Sequence, residues 1–142
     1  MKVRNVMTAP AITISPEESV AVASRTLTHY NIGMLPVCES GGTLQGVLTD
    51  RDIVTRCLAG GKDPSKTPVR EIMTRQVRTA DPNMDAGVAA HLMGSQQIRR
   101  LPVVEEGKLC GLVSLGDLAN REETVYDAAD ALSEITSNIS FR

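Results

Sequence analysis

The segment Val3-Arg4-Asn5-Val6-Met7-Thr8 returns as Val69-Arg70-Glu71-Ile72-Met73-Thr74, 66 positions on, and no other feature restricts the fold as much. The register then holds: Thr13 meets Thr79, Pro16 meets Pro82, Val22-Ala23 meets Val88-Ala89, and Ile32 with Leu35-Pro36-Val37 meets Ile98 with Leu101-Pro102-Val103. After one deleted residue near Gly41, the residues Gly42, Leu44, Gly46 and Asp52 meet Gly107, Leu109, Gly111 and Asp117. Two units are too few for a solenoid, so closed pairing is the expected way for each half to cover its apolar surface. A chain of 142 residues suits two small halves of that kind.

Each unit reads as βαββα. A lead-in of pattern Val-Arg-x-h-Met-Thr, with h apolar, precedes a short strand, Ala11 to Ile14, stopped by Ser15-Pro16, where proline favours the first turn of a helix. In that helix Val20, Ala23 and Leu27 share one face, matched by Ala86, Ala89 and Met93 in the second unit. Met34 to Cys38 and Leu44 to Leu48 flank the Gly41-Gly42 turn as a hairpin, repeated by Leu101 to Val104, Gly107 and Leu109 to Val113. Thr49-Asp50-Arg51-Asp52 opens a second helix with apolar Ile53, Val54, Cys57 and Leu58, ending at Gly60-Gly61. The expected divisions are a first repeat over residues 1–61, an exposed Pro-containing linker over 62–68, a second repeat over 69–121 and a C-terminal tail over 122–142. In the tail, Val125, Ala128, Leu132 and Ile135 lie on one side, an amphipathic helix signal that suits packing on its own module or contact with a partner.

Composition removes whole classes of function. A net charge of −2 with only Tyr30, Tyr126 and Phe141 as aromatics supplies neither a polyanion-binding surface nor bases' stacking partners, so no nucleic-acid role is expected. Cys38, Cys57 and Cys110 are odd in number and in no CxxC arrangement, against both a disulfide framework and a zinc site. Reduced thiols and the lack of a spanning segment or leader give the expectation of a cytoplasmic protein with no membrane association. His29 and His91 do not align with each other and have no ligand partners nearby in sequence, so no metal is expected.

The strongest local pattern is Gly46-Val47-Leu48-Thr49-Asp50-Arg51-Asp52, echoed by Gly111-Leu112-Val113-Ser114-Leu115-Gly116-Asp117. Taken once, Thr49 with Asp52, or Ser114 with Asp117, has the spacing of a helix N-cap and an acidic residue three positions on. A hydroxyl and a carboxylate at such a turn also suit a ribose, since a carboxylate accepts both sugar hydroxyl protons. Glycine ahead of them would let a ligand approach the backbone closely. Both roles coexist if a ligand exchanges for one capping hydrogen bond.

The order of lead-in, Thr13, Leu35-Pro36-Val37 and Gly-h-h-Thr-x-x-Asp, given twice between Val3 and Arg121, resembles paired CBS domains, the Bateman module. The resemblance implies an α+β fold of two pseudo-symmetric βαββα repeats packed sheet to sheet, commonly assembled as a homodimer. It implies an adenine nucleotide (AMP, ADP, ATP or an adenosyl ligand such as S-adenosylmethionine) as a regulatory ligand between the repeats, with no cofactor required and no catalysis. Carried over position by position, it nominates Thr49, Asp52, Ser114 and Asp117 for the ribose, and Ile12-Thr13 and Arg78-Thr79 for the adenine, largely through backbone groups. Family members often place basic residues where Arg99-Arg100 stand, and guanidinium groups there suit phosphate oxygens. The first repeat carries Gly33-Met34 at that location, so the two sites are expected to be electrostatically unequal. Surface coverage, or pairing with Glu105 and Glu106, is the structural alternative for the two arginines. The paired acids Asp50 and Asp52 lack a nucleophile, a metal cluster or a GxxxxGK loop, so no catalytic residue is expected. The resulting expectation is a free-standing sensor whose ligand shifts its conformation and thereby signals to an unidentified protein partner. The alternative is a ligand-free, stress-related interaction scaffold on the same fold.

Overall fold

The computed structural model describes residues 1–137. They form two compact units, one of Ile12–Val77 and one that joins Met1–Ala11 to the chain from Arg78. The units therefore cut across the repeats, because each lead-in packs within the unit built by the other repeat. Val3 and Val6 lie in one core with Ala86, Ala89, Met93, Leu101 and Val113. Val69, Ile72 and Met73 lie in the other with Val20, Leu27, Leu35, Val37 and Leu48.

In the Ile12–Val77 unit, α1 (Val20–Tyr30) follows Ser19, whose side chain accepts from the Val22 amide. This cap places the helix start past Ser15-Pro16, later than the proline suggests, since residues 16 to 19 are spent on turns. The predicted stripe holds: Val20, Ala23 and Leu27 are all buried. Strands β1 (Met34–Cys38) and β2 (Leu44–Thr49) pair antiparallel with Pro36 opposite Val47. The expected Ala11 to Ile14 strand shrinks to one parallel bridge, Ile14 with Val37. Pro36 explains this: the Ile14 amide donates to the Pro36 carbonyl, but the next ladder bond would need a Pro36 N–H that does not exist. On the far side of the hairpin Val47 bridges Thr74 of the second lead-in. After β2 comes α2 (Asp50–Asp52), which continues as a π-helical stretch, Ile53–Leu58, burying Ile53 and Cys57 and leaving Val54 and Leu58 exposed.

The second unit repeats this plan with α3 (Ala86–Gln96), β3 (Arg100–Glu105), β4 (Lys108–Ser114) and the shorter α4 (Leu115–Ala119). Ala80 bridges Val103 in parallel, and Thr8 bridges Leu112 antiparallel. A tail helix, α5 (Val125–Ser137), packs on α3 and α4 and buries Ala128, Ala131 and Ile135. The tail thus packs on its own unit over the described residues; residues 138–142 of the expected tail lie outside them.

The linker stretch is exposed at Lys62, Asp63, Ser65 and Lys66, and its backbone also docks on α1. The Pro64 and Thr67 carbonyls accept from the Ala21 and Val20 amides, satisfying first-turn donors of α1, and Thr67 is buried. The Met1 carbonyl does the same for Ala86 at the start of α3.

Candidate functional site

Both copies of the Gly-h-h-[Thr/Ser]-x-x-Asp pattern fold into reciprocal capping boxes. The Thr49 hydroxyl accepts from the Asp52 amide at 3.1 Å, and the Asp52 carboxylate accepts from the Thr49 amide at 3.0 Å. For Ser114 and Asp117 the two distances are 3.0 and 2.9 Å. Capping is therefore present at both motifs, as the spacing alone requires. The motif glycines serve packing: a Cβ at Gly111 would sit 2.6 Å from the Thr8 carbonyl oxygen, and one at Gly46 would collide with that of Thr74. The close approach anticipated for a ligand is taken by the lead-in backbone.

The surroundings of the two carboxylates differ. Asp52 is buried to 6% exposure; the Thr74 hydroxyl donates to it at 3.2 Å, and the Arg56 guanidinium stands 3.7 Å away. Arg56 is held in place by the Ile72 and Met73 carbonyls of the same lead-in. Asp117 is half-buried, and among the described residues its side chain has only the capping bond. Position explains the contrast. Arg121 aligns with Arg56, but α4 ends at Ala119, so Arg121 is off the helix and does not lie one turn from Asp117. Thr8 aligns with Thr74, but its side chain is exposed and, among the described residues, does not hydrogen-bond Asp117.

Arg99 and Arg100 are brought to the Ser114–Asp117 turn. The Leu115 amide donates to the Arg99 carbonyl at 2.8 Å, and Arg100 pairs with Ser114 across the hairpin. Both arginines are exposed, and among the described residues neither pairs with Glu105 or Glu106. At the matching place in the first repeat Met34 pairs with Thr49, and the Asp50 amide donates to the Gly33 carbonyl. A Cβ at Gly33 would lie 3.5 Å from the Asp50 carboxylate, so an acid occupies the neighbourhood that the second repeat fills with two cations.

Ile12-Thr13 and Arg78-Thr79 are exposed and directly precede the bridge residues Ile14 and Ala80. Pro36 and Pro102, in mid-strand, cannot donate to the carbonyls of Ile12 and Arg78, which therefore remain acceptors beside the hairpin. In this way each unit gathers one set of nominated residues: Ile12, Thr13, Thr49 and Asp52 in one, and Arg78, Thr79, Arg99, Arg100, Ser114 and Asp117 in the other. Thr74, Arg56 and Thr8 were not legible as neighbours of these motifs. Their signal was present, since Thr8 and Thr74, and Arg56 and Arg121, are identical across the repeat, but sequence does not say which lead-in docks on which hairpin.

No group of three or more His, Cys, Asp or Glu side chains among the described residues could hold a metal. Burial pushes the Cys38 thiol above its usual range, and Cys57 is buried as well, so both are core groups. No described helix is long and apolar enough to cross a membrane.

The CBS domain family model matches twice, over residues 3–59 and 69–124. The CBS domain-containing protein YhcV of Bacillus subtilis is 41% identical over 134 residues, covering 94% of each chain. The crystal structure of Hypoxic Response Protein I with two coordinated zinc ions superposes with a TM-score of 0.79 at 32% identity, over 85% of this chain and 98% of the other. The CBS domain pair of protein MJ0100, solved with 5-methylthioadenosine and S-adenosyl-L-methionine, gives 0.73 at 31% identity, over 84% and 97%. With two matched copies covering most of its length, the chain belongs to the CBS-domain family.

Proposed function

We propose that the protein is a regulatory module that binds an adenine nucleotide or adenosyl ligand and is not itself an enzyme. Ribose would be held by Ser114 and Asp117, phosphates by Arg99 and Arg100, and adenine by the backbone at Arg78-Thr79; Ile12, Thr13, Thr49 and Asp52 stand at the corresponding positions in the first repeat. The observation that carries the reading is that the backbone sets Arg99 and Arg100, neither with an ion-pair partner among the described residues, beside the turn that carries the Ser114 hydroxyl and Asp117 carboxylate, near a carbonyl that its own ladder cannot satisfy. Such a set matches the donors and acceptors of a nucleotide: phosphate oxygens for Arg, sugar hydroxyls for carboxylate, an exocyclic amine for the carbonyl. The adenosyl ligands of the MJ0100 pair support the ligand class. Binding would favour one conformation, and a protein partner would read it to the extent that the ligand prefers that conformation. A homodimer is part of the same reading, supported by Val54 and Leu58, which α2 and its continuation expose at 57% and 55%.

Isothermal titration with AMP, ADP, ATP and S-adenosylmethionine, alongside thermal shift and light-scattering mass, tests it. Affinity in the micromolar range, about −8 kcal/mol, is expected for at least one ligand, at the mass of a dimer. No heat and no thermal shift with any of the four would leave the ligand-free scaffold reading in its place.

A further inference from the structure

We propose that the two copies of the motif are not equivalent: the Ser114–Asp117 site takes a phosphate-bearing adenine nucleotide, while the Thr49–Asp52 site is closed by the chain's own Thr74 and Arg56, giving one nucleotide per chain. This deepens the function proposed above and rests on it.

A ribose diol binds a carboxylate by donating two hydroxyl protons, so it competes with any donors already there. At Asp52 the competition is intramolecular. The Thr49 amide and the Thr74 hydroxyl donate to a carboxylate that is 6% exposed, with the Arg56 guanidinium 3.7 Å away, leaving little room for a sugar. Displacing Thr74 would also disturb the lead-in, whose backbone is tied to Val47 by bonds of 2.9 and 2.8 Å in both directions. At Asp117, among the described residues, only the cap is made, and it engages one carboxylate oxygen.

Phosphate chemistry points the same way. Arg100 lies opposite Ser114 and Arg99 beside Leu115, whereas the corresponding place beside Thr49 holds Gly33, Met34 and the Asp50 carboxylate. An anion is attracted to the first setting and repelled from the second, and the cation nearest Asp52 is already engaged by that acid and by two carbonyls.

Titration of the full chain with AMP, followed by calorimetry and by backbone amide NMR, tests this. A single site per chain is expected, with the resonances of Arg99, Arg100 and Ser114 to Asp117 moving and those of Thr49 to Asp52 staying in place. Asp117→Asn is expected to weaken AMP binding about 10- to 100-fold, the loss of one charge-assisted hydrogen bond; the unmutated chain's NMR response decides the matter if that variant does not fold. Two sites per chain, or shifts centred on Thr49 to Asp52, overturn the closure and leave nucleotide binding standing. No heat and no shift with AMP, ADP, ATP or S-adenosylmethionine overturns both.

Discussion

Asp52 and Asp117 share a motif and a cap, yet their stability roles diverge. Asp52 accepts from a backbone amide and a threonine hydroxyl in a buried place, so Asp52→Ala strands two donors, while Arg56 keeps its carbonyl partners. Asp117→Ala strands one. Because a buried donor left without a partner costs about 1–3 kcal/mol, Asp52→Ala is expected to lower stability by about 1–3 kcal/mol more than Asp117→Ala. Arg56 is half-exposed and adds little of that. Equilibrium urea denaturation of the two variants measures the difference, and equal losses would mean that the Thr74 and Arg56 contacts contribute nothing. The capping box was readable from spacing alone, because N-cap and third-position partners lie within one turn of chain. The donors that close Asp52 come from Thr74 and from a helix one turn longer than its counterpart, which no local pattern encodes.

Helices α1 and α3 occupy equivalent places, and their sequences differ where their neighbours do. Ser24 and Thr28 of α1 align with Ala90 and Gly94 of α3. Gly94 admits α5 at close range, since a Cβ there would lie 3.0 Å from the Ala131 Cα. Ala90 and Gly94 are buried, whereas Ser24 and Thr28 turn their hydroxyls back to the Val20 and Ser24 carbonyls. The small-residue face of α3 thus marks the docking place of the tail, a signal that periodicity misses because glycine and alanine barely raise an apolar stripe. Deleting Thr124 to Arg142 removes buried Ala128, Ala131 and Ile135, of which Ile135 alone contributes about 1.5–3 kcal/mol. The expected outcome is a lower melting temperature and faster hydrogen exchange across Ala86–Gln96, with exchange across Val20–Tyr30 unchanged. Equal acceleration in both helices would show that α5 does not act on one unit alone.

Across the whole molecule, the exchange of lead-ins makes the unit that begins at Arg78 depend on a segment distant in sequence, Met1–Ala11. Val3 and Val6 are buried beside Leu101 and Val113, each contributing about 1.5–3 kcal/mol, and Thr8 exchanges two backbone bonds with Leu112. Deleting Met1 to Ala9 is therefore expected to destabilise the unit that begins at Arg78, with rapid exchange at Leu112 and intact protection in β1 and β2. Hydrogen exchange followed by mass spectrometry reads this, and loss of protection in β1 and β2 instead would place the lead-in on its own repeat. The two-fold repetition, the hairpins, the apolar helix faces, the caps and the CBS resemblance were all legible in the chain. They follow from short-range geometry: side-chain period, turn stereochemistry and bonds spanning a few residues. Which lead-in completes which sheet, where the tail docks and which carboxylate is already satisfied were decided by tertiary structure. Two lead-ins of nearly the same sequence fit either hairpin equally well on paper, and only burial against one particular core separates them.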